Sequence, residues 1–208
     1  MKVTIIDLGI QNILSVENAF HVVGAQTTVA RDAAALTEAE FLVLPGVGAF
    51  GAAMARLRET GIDAAVRRHA LERRAPLMGL CLGMQLLADR SDEHGSHHGI
   101  GLIRGRVELL REAPPEFRVP NIGWREVSAT GHSALVAGLP AGRSYYHVHS
   151  YHMRCEDPLD VAATSAFGPE RIASIVHRGN ILGTQFHPEK SQDAGLDLLH
   201  AALQQLHI

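Results

Sequence analysis

Three short segments of this 208-residue chain carry residue types and spacings suited to chemistry. The first is Gly79-Leu80-Cys81-Leu82-Gly83-Met84-Gln85. A cysteine with glycine two positions away on each side has the pattern of a nucleophile elbow, with sulfur in place of a serine hydroxyl. A sharp strand-to-helix turn strains the central residue and crowds its neighbours, so both must be small. The turn lifts the sulfur above the sheet at a helix N-terminus, where free N–H groups favour the thiolate. The N–H of Leu82 faces the same spot and could stabilise an oxyanion. A buried structural cysteine is the plain alternative, because free Cys is among the most buried residue types.

A thiolate needs a base, and the base needs a group to orient it. His187-Pro188-Glu189 supplies both. Residues two apart in an extended stretch point to the same side, so Glu189 can hold the His187 imidazole in one tautomer. Pro188 stiffens the segment between them. A solvent-exposed turn would read the same way, but this segment follows an apolar run ending at Phe186 and precedes a helix. The third segment, Pro45-Gly46-Val47-Gly48, lets the backbone approach a ligand or aim an N–H at it. On composition alone it is also an ordinary turn.

The elements that must position these segments are legible in outline. Val3–Ile6, Phe41–Leu44 and Leu77–Leu80 are short apolar runs that read as buried strands. Between them, Ile13, Val16, Phe20 and Val23 follow helical spacing and Gly24 closes the helix. Helices are also predicted around Phe50–Arg58, Ile62–Arg73 and Leu82–Ala88. In the second half, Gly99–Leu110, Tyr145–His149, Val161–Ala166, Ile172–His177 and Asn180–Gln185 read as strands. A last helix spans Ser191–Leu206, with Leu196, Leu199, Leu203 and Leu206 on one face. Residues 112–116 read as a loop rather than a linker. The alternation predicts an α/β fold: an open, mostly parallel mixed sheet with helices on both faces and an antiparallel portion in the second half. One domain is expected over residues 1–208. In such sheets, ligands bind beyond the carboxyl ends of the strands, and Gly46, Cys81 and His187 all fall there.

Composition excludes several classes. The hydrophobic fraction is 46% and the charged fraction 20%, as in ordinary globular proteins. The net charge of −3 lacks the basic excess of a nucleic-acid binder. No apolar run approaches the roughly 18 residues of a membrane span. The start reaches Asp7 too soon for a signal peptide, so a cytoplasmic protein with two free thiols is expected. The 13 histidines lack the tight Cys/His pairing of a zinc site, and no metal or cofactor is expected. His69, His177, His200 and His207 read as surface or boundary residues, and Cys155, beside Glu156-Asp157, as inert.

Together the segments resemble the class I (triad) glutamine amidotransferases. The order Cys81…His187-x-Glu189, the elbow and the glycine-rich strand end all match. Further matches lie in Asp7–Val16, Ile122-Gly123-Trp124, Tyr146-His147-Val148-His149-Ser150-Tyr151 and Gln185-Phe186-His187-Pro188-Glu189-Lys190-Ser191. Within the family, these are similar to the glutaminase subunits of imidazole glycerol phosphate synthases, and the resemblance covers essentially the whole chain. It implies that Cys81 attacks glutamine, that His187 shuttles protons and that Glu189 orients His187. It implies an oxyanion hole from the N–H groups of Val47 and Leu82, with the Val47 peptide flipping to form it. Gly48, Gln85, Glu93, His149, Ser150 and Tyr151 would hold glutamine, Glu93 by its α-amino group. The ammonia would pass to a cyclase subunit in a heterodimer, which forms imidazole glycerol phosphate and AICAR in histidine biosynthesis. Asn12, Trp124 and Lys190 would face that partner.

Four positions depart from the family pattern: Leu8 for Tyr, Gln11 for Gly, Arg125 for Asn and His147 for Phe. The first three bear on partner contacts rather than on hydrolysis. A glutaminase serving vitamin B6, anthranilate or purine synthesis, or a non-catalytic scaffold of the same fold, are the other readings. The Val between the glycines and Lys190-Ser191 after Glu189 favour the first reading, and an intact Cys81, His187 and Glu189 argue against a scaffold. The motifs leave no stretch for an acceptor-binding domain, which itself points to a partner.

Overall fold

A computed structural model of the chain describes residues 1–9, 12–112 and 116–206. Gln11, the centre of the loop at 113–115 and His207 lie outside the described residues. The frame is an eight-stranded sheet. Its parallel half comprises β1 (Lys2–Ile6), β2 (Gln26–Ala30), β3 (Phe41–Gly46) and β4 (Leu77–Cys81). Every residue of β3 and β4 is buried, as expected of central parallel strands covered on both faces.

Alternation along these strands divides the core in two. Ile6, Leu42, Leu44 and Leu77 pack towards α2 (Phe50–Glu59) and α3 (Ile62–Arg67). Val3, Ile5, Phe41, Val43, Met78 and Leu80 pack on the other face against Val16, Ala19 and Phe20 of α1 (Ile13–Val22). The α4 helix (Leu82–Leu86) leads from the end of β4, and α5 (Ala134–Ala137) is a single turn. The last helix, α6 (Gln192–Gln205), presents Leu199 and Leu203 to the second core, with Leu206 just beyond it and Leu196 partly buried alongside. Helices thus cover both faces, as the pattern predicts.

Beyond β4 the sheet becomes antiparallel. The remaining strands, in chain order, are β5 (Arg90–Ser91), β6 (His97–His98), β7 (Gly105–Leu109), β8 (Asn121–Glu126), β9 (Ser128–Ala129), β10 (Ser144–His149), β11 (Tyr151–Cys155), β12 (Val161–Phe167), β13 (Glu170–Arg178) and β14 (Ile181–Thr184). The full order is β2-β1-β3-β4-β14-β13-β12-β9. The β14 strand runs parallel to β4, and the pairs on its far side are antiparallel. A β10–β8 ribbon and a small β11-β7-β5-β6 sheet stand apart from the main sheet.

Several elements differ from expectation. Gly99–Leu110 is not one strand; only Gly105–Leu109 pairs. Instead, the N–H groups of Ile100, Leu102 and Ile103 donate to the carbonyls of Leu86 and Leu87 at 2.8 to 3.0 Å. They satisfy acceptors that the end of a helix leaves open. The Ile62–Arg73 stretch is α-helical only to Arg67 and widens into a π-type turn over Arg68–Glu72. His69, expected near the surface, is buried there and donates from Nε2 to the Pro76 carbonyl at 2.8 Å. The β2 edge strand has no counterpart in the sequence pattern, because only Ala30 in it is buried and no apolar run marks it. Among the described residues, no helix is long and apolar enough to cross a membrane.

Candidate active site

The sulfur of Cys81 sits where β4 becomes α4. Cys81 has φ +52° and ψ −109°, a region that non-glycine residues adopt only under constraint. The constraint is visible at both flanking glycines. A Cβ on Gly79 would lie 2.7 Å from the Gly83 carbonyl oxygen, and one on Gly83 would overlap the Leu44 carbonyl. The elbow is therefore wedged against β3, and register pairs Cys81 with Gly46 on that strand. Cys81 is 6% exposed; its sulfur lies 4.0 Å from the Val148 carbonyl.

His187 arrives three residues after the end of β14, the next strand in the sheet. Its main-chain N–H donates to the Tyr146 carbonyl at 3.0 Å, and its own carbonyl accepts from the Ser191 hydroxyl at 2.6 Å. These bonds hold the backbone so that Pro188 starts a tight 3-10 turn, Pro188–Lys190. Within it, His187 Nδ1 donates to Glu189 Oε1 at 2.7 Å. Both side chains are buried. Burial lowers the imidazole pKa, but the Cys81 sulfur and the Glu189 carboxylate beside it raise it further, to about 9. The other ring nitrogen, Nε2, is buried without a hydrogen-bond partner among the described residues. The Cys81 sulfur, the His187 imidazole and the Glu189 carboxylate are thus brought together, the arrangement that a nucleophile, a base and an orienting group would need.

A cavity of about 560 Å³ opens over the sulfur. It is lined by Val47, Gly48, Cys81, Leu82, Gln85, Glu93, His149, Ser150, Tyr151 and His187, with Lys190 at its edge. Every residue singled out for chemistry or substrate contact except Glu189 therefore lines one space, and Glu189 reaches it through its hydrogen bond to His187. Glu93 also accepts the Phe50 N–H at 2.6 Å, at the start of α2. Gln85 donates from Nε2 to the Tyr151 carbonyl at 2.9 Å, and His149 donates from Nδ1 to the same oxygen at 2.9 Å. Sequence reasoning misses other walls: His94, Leu109, Val119, Pro120 and Val148. They come from loops and strands, and of the five only Val148 falls inside a recognised segment, where nothing marks it as a wall.

On the other side of the triad, Asn12, Ser15, Pro45, Val47, Glu189 and Lys190 border a small opening of about 50 Å³. This unites two of the three expected partner-facing residues. Trp124 is not in it; it lies 46% exposed on β8, edge-on to Tyr146 at 6.0 Å. Of the departures, Leu8 is buried, and Arg125 donates from Nε to Asn121 Oδ1 at 2.8 Å. His147 is fully buried against Phe186, and burial pushes its pKa down to about 2. It can therefore fill an aromatic position as a neutral ring. His149 is likewise lowered by burial to about 4. Burial, with Asp160 and Asp157 nearby, pushes the Cys155 thiol up to about 12. Among the described residues, no three His, Cys, Asp or Glu side chains are arranged to hold a metal ion.

Comparison with known proteins is consistent across the chain. The profile of the class-I glutamine amidotransferases matches residues 4–203. The chain is 41% identical over 208 residues to imidazole glycerol phosphate synthase subunit HisH 2 of Nitrobacter winogradskyi, covering 98% of each. It is 45% identical over 200 residues to the HisH subunit of Salinibacter ruber, covering 94% of this chain and 91% of that one. Among solved structures, that of PurLQS from Thermotoga maritima matches with a TM-score of 0.72 at 19% identity, over 99% of this chain and 98% of that one. At that identity the likeness is one of fold.

Proposed function

Since the chain belongs to the class-I glutamine amidotransferase family, we propose that it is the glutaminase subunit of an imidazole glycerol phosphate synthase, acting in histidine biosynthesis. The observation that carries the reading is that Cys81 and His187 line a single cavity while Glu189 holds the far nitrogen of the His187 ring. The full-length similarity to HisH subunits gives the pathway. The partner is a cyclase subunit that consumes the ammonia, and the compartment is the cytoplasm. Residues 1–208 act as one amidotransferase domain.

An amide is a poor electrophile, and a thiolate divides its hydrolysis into two easier steps. Cys81 passes its proton to His187 and attacks the side-chain amide carbon of glutamine. The N–H groups of Val47 and Leu82 hold the developing oxyanion. His187, oriented by Glu189, gives a proton to the leaving ammonia as the carbon–nitrogen bond breaks, leaving a γ-glutamyl thioester on Cys81. Water enters, His187 takes its proton, and glutamate leaves. The Glu93 carboxylate pairs with the substrate's α-ammonium, and Gly48, Gln85 and residues 149–151 complete the pocket. Ammonia leaves past Asn12 and Lys190 towards the partner, with Trp124 on the docking face. What supports these roles, apart from that of Trp124, is that the residues line the cavity and the smaller opening; for Trp124 it is the exposure of the ring.

A glutaminase assay of the chain alone and with a cyclase subunit of this pathway tests the reading. Glutamate release that rises with the cyclase and vanishes in Cys81→Ala is expected. Stimulation only by a different synthase would transfer the chain to another pathway, and no activity in either setting would leave a scaffold.

A further inference from the structure

The triad accounts for Cys81, His187 and Glu189, but a fourth side chain touches the sulfur. Gln185 is wholly buried, one residue past the end of β14 and two before His187. Its main-chain N–H donates to the Ser174 carbonyl at 2.9 Å, which fixes its backbone in the sheet. Its amide lies between the nucleophile and Gln85. The Oε1 atom accepts from Gln85 Nε2 at 3.1 Å, and Nε2 donates to Cys81 Sγ at 4.0 Å.

The polarity of this chain of amides is not free to reverse. An amide nitrogen only donates, and a backbone carbonyl only accepts. The Tyr151 carbonyl, at 2.9 Å, must take an N–H from Gln85. That orients the Gln85 amide and sends its second N–H to Gln185. Gln185 must then present oxygen to Gln85 and nitrogen to the sulfur. A flipped Gln185 would set two donors against each other beside Gln85 and an acceptor against the sulfur.

Two consequences follow for the site. Both donors of Gln85 are consumed inside the protein, while its carbonyl oxygen accepts from no described residue. Gln85 lines the cavity, so it offers the ligand an acceptor only. That selects an N–H donor, whether ammonium or carboxamide, and disfavours a carboxylate oxygen at that spot. Second, the sulfur receives an N–H where negative charge gathers once its proton has moved to His187.

We propose that Gln185 is a further working residue of this site. It donates to the Cys81 thiolate and, through Gln85, turns an acceptor-only face to the substrate. The substrate half rests on the glutaminase reading; the sulfur half does not.

The test uses the full chain and Gln185→Met, which keeps an unbranched side chain of similar length and removes both polar contacts. The first readout is the rate of Cys81 alkylation by iodoacetamide against pH, followed at Cys81 by mass spectrometry. The alkylation midpoint should rise by about one pH unit, slowing the reaction roughly tenfold below it. The second is a double-mutant cycle with Gln85→Met, measuring KM for glutamine in the complex with the cyclase. If Gln185 acts through Gln85, each single variant raises KM about tenfold and the double variant is no worse than Gln85→Met alone. Gln185→Asn cannot span the gap and should show the same two losses if Gln185→Met does not fold. An unmoved midpoint, or KM effects that multiply, overturns the proposal. Iodoacetamide needs no glutamine, so a wild-type chain without glutaminase activity would defeat the functional reading and leave the sulfur contact still decided.

Discussion

The Glu93 carboxylate accepts the main-chain N–H of Phe50 at 2.6 Å, across 43 positions of sequence. One oxygen is thereby committed to the first turn of α2, while the residue still lines the cavity. A side chain assigned to bind an ammonium therefore also finishes a helix.

That double use separates two substitutions. Glu93→Gln keeps an oxygen for the Phe50 N–H but loses the charge, so KM for glutamine should rise at least tenfold with little change in Tm. Glu93→Ala should add a loss of about 1 kcal/mol of stability, the usual cost of a missing helix cap. Thermal melts beside glutaminase kinetics read both; equal Tm values in the two variants would contradict the cap.

The raised pKa of His187 sets a pH window. The folded chain holds this proton more tightly than an unfolded imidazole at its ordinary 6.5, and the folded value is about 9. The stabilisation is therefore complete below about 6.5 and lost as pH rises through about 9. Glutaminase activity should fall on the same alkaline limb, as the proton needed by departing ammonia is lost. Glu189→Gln removes one cause of the raised value and should move the limb towards neutrality. A pH–rate profile from 6 to 10 checks the limb, and a coincident profile for the variant would rule out the coupling.

Gly83→Ala should be among the most damaging single-methyl additions in the chain. Its Cβ would meet the backbone of Leu44, which cannot swing away as a flexible side-chain end can. A loss of about 3 kcal/mol or more is expected in urea unfolding, at the upper end for overpacking. A near-native midpoint would show that β3 can move relative to the elbow.

The two thiols should separate cleanly. Iodoacetamide at neutral pH should modify Cys81 and leave Cys155 untouched, because burial and two aspartates hold the latter's proton to about pH 12. Peptide mapping after partial alkylation gives the ratio directly.

Trp124→Ala should weaken association with the cyclase by about 2 kcal/mol or more, the scale of a tryptophan hot spot, while leaving Tm unchanged. The side chain is 46% exposed and meets the Tyr146 ring edge-on. Titration calorimetry with the purified cyclase provides the measurement, and wild-type affinity would move the docking face elsewhere.

The parts of this chain that can be read from sequence are those whose physics is local. A glycine pair around Cys81 announces a strained turn because sterics act over a few bonds. Val3–Ile6, Phe41–Leu44 and Leu77–Leu80 announce buried strands because both faces are apolar. The β2 strand sits at an edge, where burial does not constrain composition, and no pattern reveals it. Ile100 to Ile103 resemble a strand because they are apolar, yet their N–H groups serve the end of α4 instead of a ladder. Gln185 is legible only as part of a motif. Its role depends on a carbonyl at Tyr151 and an amide at Gln85, 34 and 100 positions away, and no local pattern encodes that.

The wedge between Gly83 and the Leu44 carbonyl also bears on how such a scaffold can diversify. The height of the sulfur above the sheet is fixed by backbone against backbone, so side-chain changes cannot retune it. The cavity's other walls, Leu109, Val119 and Pro120, belong to the irregular second half of the chain and carry no part of the triad. A mutational library confined to those three positions would reshape the entrance while leaving the reactive geometry intact. Evolution of new acceptors, or an engineer seeking one, has its freedom at that rim and almost none at the elbow.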